Sequence, residues 1–144
     1  MVEVEELFAG RDCKTRLWLS ETARAALGEF TARREQPRGA FLQKLERYAT
    51  AGFRHYEGDK KPVRHEWNQI YRISDGGLFR LIGFYENEAT KADFIVIDAV
   101  RKRGEKLSAS ERATVDRVAS VRRDKSWRKK DADGHNYPRL AEGT

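Results

Sequence analysis

Cysteine is almost missing. Cys13 is the single one, so the chain has no internal disulfide and no cysteine-based zinc site. Histidine is nearly as sparse, and His55, His65 and His135 are scattered without metal-ligand spacing. No metal or other cofactor is therefore expected. Long hydrophobic runs are missing too. The longest, Leu81-Ile82-Gly83-Phe84-Tyr85 and Phe94-Ile95-Val96-Ile97, are strand-sized. A membrane-crossing helix needs ~20 apolar residues. The acidic opening, Met1-Val2-Glu3-Val4-Glu5-Glu6, has neither the basic nor the apolar region of a secretory signal. These absences predict a protein with no membrane attachment in a reducing, cytoplasmic setting.

What is present is charge. The 144 residues are 39% hydrophobic and 36% charged, with a formal net charge of +6. That supports one small core and one domain. The charge is unevenly placed. Residues 1–12 hold Glu3, Glu5, Glu6 and Asp12 against Arg11, a net −3. Residues 101–106 hold Arg101, Lys102, Arg103 and Lys106 against Glu105, a net +3. Residues 122–130 hold six Lys and Arg against Asp124, a net +5. Cation clusters of this kind attract polyanions, nucleic acid first. The plainer alternative is solvation of helices by Lys and Arg.

The patterning predicts the elements. Residues 13–19 read as a first strand, and Val2, Val4 and Phe8 as a further extended piece. Ser20 is a good N-cap for a helix whose Ala23, Ala26, Leu27 and Phe30 form one apolar stripe. Pro37 and Gly39 break the pattern. A second helix carries Phe41, Leu42, Leu45, Tyr48 and Ala49 on one face and ends at Gly52. A polar loop follows, then three strands at 67–74, 78–85 and 93–101, the first two joined by the tight-turn signal Asp75-Gly76-Gly77. The third strand has apolar residues on both faces, which predicts cover on both sides. Ser108-Ala109-Ser110-Glu111 is a capping box that opens a third helix with Val115, Val118 and Ala119 inward. The expected fold class is α+β: a small antiparallel sheet, two N-terminal helices on one face, and a C-terminal helix. Residues 1–123 form the domain in this reading, and 124–144 a basic and then flexible tail.

The ordered set of these pieces resembles the RelE/ParE superfamily of toxin–antitoxin systems, within it the HigB-like, phage-related branch. The stretch from Phe41 to Val121 carries the resemblance. It contains Phe41-Leu-Gln-Lys-Leu-Glu-Arg-Tyr48, then Gln69-Ile-Tyr-Arg72 before the glycine-rich turn, and Leu78-Phe-Arg80-Leu-Ile-Gly-Phe-Tyr85. Phe94-Ile-Val-Ile-Asp-Ala-Val100, the trio Arg101-Lys102-Arg103 and the capped helix complete it. Ile70 stands where the family's first central strand often has a glutamate. The resemblance implies a RelE-like fold and a metal-independent mRNA endoribonuclease acting on translating ribosomes. In that chemistry the RNA 2′-OH attacks the adjacent phosphate, and the protein orients the backbone and stabilises the added negative charge. It implies Arg72, Arg80 and Lys102 as catalytic cations and Arg103 as an RNA contact; the neighbouring cations Arg101 and Lys106, with His65 and the ring of Tyr71 as a stacking surface for bases, are further candidate RNA contacts read from the residues themselves.

Two other readings share the scaffold: a ParE-like inhibitor of DNA gyrase, and a non-catalytic nucleic-acid or protein-binding module. Implied partners are mRNA on the ribosome and a cognate antitoxin, typically a helix-turn-helix protein, with homo-oligomerisation left open. Several residues also have a plainer role. His65 titrates near neutrality and is a candidate acid or base, yet it also suits a solvent-facing strand entrance. Arg72 and Arg80 equally suit an exposed sheet face. Trp67 reads as core, Cys13 as a small core residue, and Asp98 as an ion-pair partner for a nearby arginine.

Overall fold

The computed structural model describes residues 1–32, 40–52, 63–67, 69–75, 79–101 and 109–130, the strand 63–67 by its backbone. Seven strands are seen among them: β1 Val2–Glu6, β2 Arg16–Ser20, β3 Val63–Trp67, β4 Ile70–Ser74, β5 Phe79–Tyr85, β6 Asp93–Arg101 and β7 Trp127–Lys130. The helices are α1 Glu21–Thr31, α2 Ala40–Ala51 and α3 Ala109–Asp124.

Ser20 ends β2 and starts α1. Its Oγ accepts from the Ala23 N–H and donates to the Ile97 carbonyl, so one hydroxyl caps the helix and ties it to β6. Ala23, Leu27 and Phe30 then turn inward together. On α2 the inward residues are Phe41, Leu45 and Ala49. Both helices cover one face of the sheet, where Leu17, Leu19, Ile73, Leu81, Tyr85, Phe94 and Val96 lie. The third helix covers the opposite face. Its Val115, Val118 and Val121 pack with Val4, Trp18, Ile82, Phe84, Ile95 and Ile97. Hence every residue from Phe94 to Asp98 is buried, as expected for a strand covered on both sides.

The expected antiparallel sheet is mixed instead. Its strand order is β3-β4-β5-β6-β2-β1-β7. The meander β3 to β6 is antiparallel, but β2 runs parallel to β6, and β7 parallel to β1. Parallel neighbours need a long crossover, and α1, α2 and the meander supply it for β2 and β6. The expected strand 67–74 is broken into β3 and β4, antiparallel neighbours that meet at Trp67 and Ile70, with Gln69 before β4 at a φ of 59°. Asn-Gln is a weak turn signal, so the break had no sequence marker. The next hairpin closes as expected. Asp75 N–H donates to the Phe79 carbonyl, and the Asp75 carboxylate accepts from the Phe79 N–H. Its residues 76–78 lie outside the described residues, as does Ser108 of the capping box. The basic stretch expected as the start of a tail supplies β7, paired with β1; residues 131–144 are outside the described residues.

One irregularity matters for the site. Ile82 pairs with Asp98 and Gly83 with Val96, so β6 carries an extra residue, Ile97, between them. This bulge turns both Ile97 and Asp98 towards α3. Strict alternation along β6 predicts Asp98 on the face of Phe94 and Val96; the bulge overturns that.

Candidate functional site

On β4, Arg72 lies opposite Ile82 of β5, and Ser74 lies opposite Arg80. Residues in register share a face. Ile82 belongs to the core under α3, so Arg72 and Arg80 both emerge on the α3 side as diagonal neighbours. Such pairs have Cα atoms roughly 7–8 Å apart, within reach of one phosphate for two long side chains. Both arginines are half-buried, and their Nε atoms are shielded from solvent.

Two carboxylates share this side. Asp98 is 7% exposed and Glu111 is 8% exposed. Asp98 Oδ1 accepts from the Ala99 N–H at 2.7 Å, and Oδ2 pairs with the Arg117 guanidinium of α3. The ion pair expected for Asp98 is thus present. Glu111 lies four residues before Val115 and seven before Val118, on the buried stripe of α3. Arg72, Arg80 and Arg117 against Asp98 and Glu111 give these five side chains a formal sum of one positive charge. Arg117 and Glu111 were not visible as site residues in the sequence. Arg117 carries no signal of its own, and the capping box alone accounts for Glu111 in the sequence.

The remaining expected site residues separate. Arg101 is in register with Phe79 and so faces α1, its guanidinium carbon 5.7 Å from the Phe30 ring centroid. Tyr71 also points away from Arg72. It is 7% exposed, edge-on to Tyr85, and donates its hydroxyl proton to Glu88. Expected as a stacking ring for bases, Tyr71 is a core residue. The backbone of His65 pairs with Tyr71, while its side chain lies outside the described residues. Lys102, Arg103 and Lys106 also lie outside the described residues. Two of the three expected catalytic cations are therefore brought to one face, and Arg101 and Tyr71 are placed on the other.

The cation cluster at 122–130 is largely neutralised internally. The Arg128 Nε donates to Glu3 at 2.9 Å, and Lys130 lies 3.7 Å from the same carboxylate. Lys129 sits 2.6 Å from Glu86 and 3.2 Å from Asp93. The acidic start of the chain and its basic end become neighbours through β1 and β7. The hydrogen bond from Arg128, then its charge, holds the Glu3 carboxyl below its ordinary range. At the opposite end of β1, burial pushes the Cys13 thiol up, with Glu6 adding to the effect. Cys13 packs against the α1–α2 core, as expected of a small apolar residue.

Among the described residues, no group of three or more His, Cys, Asp and Glu side chains is placed to hold a metal ion. No helix among them is long and apolar enough to cross a membrane. Set against family models, curated proteins and solved structures, the chain matches none.

Proposed function

We propose that the chain is a toxin of the RelE/ParE kind that grips an RNA backbone with Arg72 and Arg80 and promotes attack of the 2′-oxygen on the adjacent phosphate. The single observation that carries this reading is the convergence of those two arginines on one face of neighbouring strands. The run helix, helix, meander, helix within the observed order, which β1 and β2 precede and β7 follows, also supports it. The substrate supplies the nucleophile: the 2′-OH gives its proton to solvent as its oxygen bonds to phosphorus, the P–O5′ bond breaks, and the leaving 5′-oxygen takes a proton from solvent. The guanidinium groups stabilise the charge that builds on the phosphoryl oxygens through charge-assisted hydrogen bonds. In this reading the cell contains a cognate antitoxin, whose acidic segments complement the remaining exposed cations.

A second reading has its own observation. Asp98 and Glu111 are buried on the same side as Arg72 and Arg80, and α3 lies across β4, β5 and β6. Arginines under a helix beside carboxylates suit a structural role, and with it a non-catalytic binding module. The two readings part in one experiment. Purified wild type and Arg80→Ala are compared on ribosome-bound mRNA, with thermal melts in parallel. Loss of one preorganised donor to the transition state is expected to slow cleavage on the order of 100- to 1000-fold with the fold retained. Arg80→Lys restores part of the rate, because it keeps the charge but loses the planar fork. Equal cleavage by wild type and Arg80→Ala removes Arg80 from the chemistry. No cleavage by wild type, together with a large drop in melting temperature for Arg80→Ala, selects the structural reading. No cleavage with gyrase inhibition selects the ParE-like one.

A further inference from the structure

A groove of about 950 Å³ opens on the α3 side of the sheet, where α3 turns into β7 and β5 ends. It lies roughly 13 Å along β5 from Arg80, four residues at about 3.3 Å each. Its lining holds five cations against two carboxylates, a formal excess of three. Most of those cations are accounted for. Arg128 pairs with Glu3, Lys129 with Glu86 and Asp93, and Arg123 with Asp124. Arg122 and Lys125 are different.

The guanidinium of Arg122 donates to the side-chain oxygen of Gln69, a neutral partner. The amide fixes the direction of the guanidinium without cancelling its charge. Gln69 does this from a left-handed backbone, φ 59°, which non-glycine residues adopt at a cost. Lys125 is exposed, has no carboxylate partner among the described residues, and is also left-handed, φ 53°. It ends α3 in a reciprocal turn: Ser126 N–H donates to the Val121 carbonyl and Lys125 N–H to the Arg122 carbonyl. Glycine is the residue this position favours. Two strained backbones thus hold the two uncancelled charges of one groove, and strain of this sort concentrates at functional sites. The half-buried indole of Trp127 lines the same groove and stands edge-on to Phe84 at 5.8 Å.

We propose that this groove binds a single-stranded nucleic acid, with Arg122 and Lys125 on its phosphates and Trp127 against a base. An acidic peptide matches the charges alone. A nucleic-acid strand also uses the aromatic surface, and its base amino groups are donors for the carboxylate of Glu86, which lines the groove beside Lys129 with its side chain half exposed. The partial negative charge at the C-terminal end of α3, about half an elementary charge, opposes an anion. Arg122 and Lys125 outweigh it. The inference does not depend on Arg72 and Arg80 performing any chemistry.

The test uses a fluorescein-labelled single-stranded DNA, which has no 2′-hydroxyl to be cut, read by anisotropy over a range of salt. Wild type is expected to bind with an affinity that falls with salt. The double variant Arg122→Gln, Lys125→Gln is expected to bind at least about tenfold more weakly, with the salt slope reduced by roughly 1.4, or about 0.7 per lost phosphate contact. Trp127→Leu is expected to weaken binding roughly 5- to 150-fold, the range for one base stack. Trp127→Phe, which keeps a ring, should recover most of it, and this recovery separates stacking from misfolding. Lys44→Gln on the outer face of α2 is the charge control and should bind as wild type. Wild type that does not bind, or groove variants that bind as wild type does, overturn the proposal. So does a polyglutamate peptide that displaces the DNA and binds Trp127→Leu as tightly as wild type, which marks a peptide dock instead. Cleavage of mRNA is read separately, so failure here leaves the reading of Arg80 untouched.

Discussion

Gly83 of β5 lies opposite Val96 of β6, next to the bulge at Ile97. A Cβ added there would lie 2.1 Å from the Ile95 carbonyl oxygen and 2.8 Å from its carbon. Those are backbone atoms within a ladder, so they cannot swing away as a side-chain tip would. Gly83→Ala is expected to destabilise the fold by at least about 3 kcal/mol, seen as a lower denaturation midpoint in urea at unchanged slope. A midpoint within error of wild type would show that the strands can part there without cost. Lys125 is the opposite case. Its positive φ and the turn that ends α3 make glycine the better residue for stability. Lys125→Gly is expected to raise stability by about 0.5–1 kcal/mol, a higher melting temperature, while weakening nucleic-acid binding. A lower melting temperature contradicts the account of strain.

At the scale of elements, the parallel pair β1 and β7 is held by backbone bonds and by the cross-strand ion pairs of Glu3 with Arg128 and Lys130. The Glu3 carboxyl is depressed in the folded protein, so the unfolded chain takes up its proton first as pH falls. The contribution of Glu3 is therefore complete above its unfolded value of about 4.3 and is lost as pH drops through the folded value. The amide resonances of Arg128, Lys129 and Lys130 are expected to shift in that acid window, and Glu3→Gln should flatten the response. Salt should weaken the same pairs, since they are exposed. Resonances that do not move through the acid range would mean that backbone pairing alone holds β7. The bulge in β6 acts at this scale too. By turning Asp98 towards α3 it creates the pair with Arg117, and the Ser20 hydroxyl on the Ile97 carbonyl links the same irregularity to the start of α1.

For the whole molecule, the sheet is the floor of two unequal faces. One, under α1 and α2, is an aromatic and aliphatic core in which Phe30, Phe41 and Phe79 stack or meet edge to face. The other, under α3, holds the second core together with Arg72, Arg80, Asp98, Glu111 and the basic groove. Arg72, Arg80 and the groove therefore share one side, while Arg101 and Tyr71 lie on the other. The trial of Arg80→Ala on ribosome-bound mRNA belongs at this scale, because it asks whether that side is a working surface or a packed one.

Local pattern determined a good deal. Spacing of Ala23, Leu27 and Phe30 set α1, Ser20 set its start, Asp75-Gly76-Gly77 marked a hairpin, and the two-sided apolar run at 94–97 marked a strand covered on both faces. Each depends on neighbours along the chain, and periodicity reports those directly. Only the tertiary structure decided which strands became parallel neighbours, since β2 meets β6 and β1 meets β7 across long separations that leave no local mark. It placed Tyr71 and Arg101 on the face away from Arg72, because register across strands, not proximity in sequence, assigns a face. It also set the working charge. An acidic start and a basic end read as separate patches along the chain, but pairing β1 with β7 sets Glu3 against Arg128 and Lys130, Glu5 and Glu6 meet Arg24 and Arg16, and Lys129 meets Glu86 and Asp93, which leaves Arg122 and Lys125 without a carboxylate partner among the described residues. Charge acts through distance in space, and a one-dimensional sequence does not contain that distance.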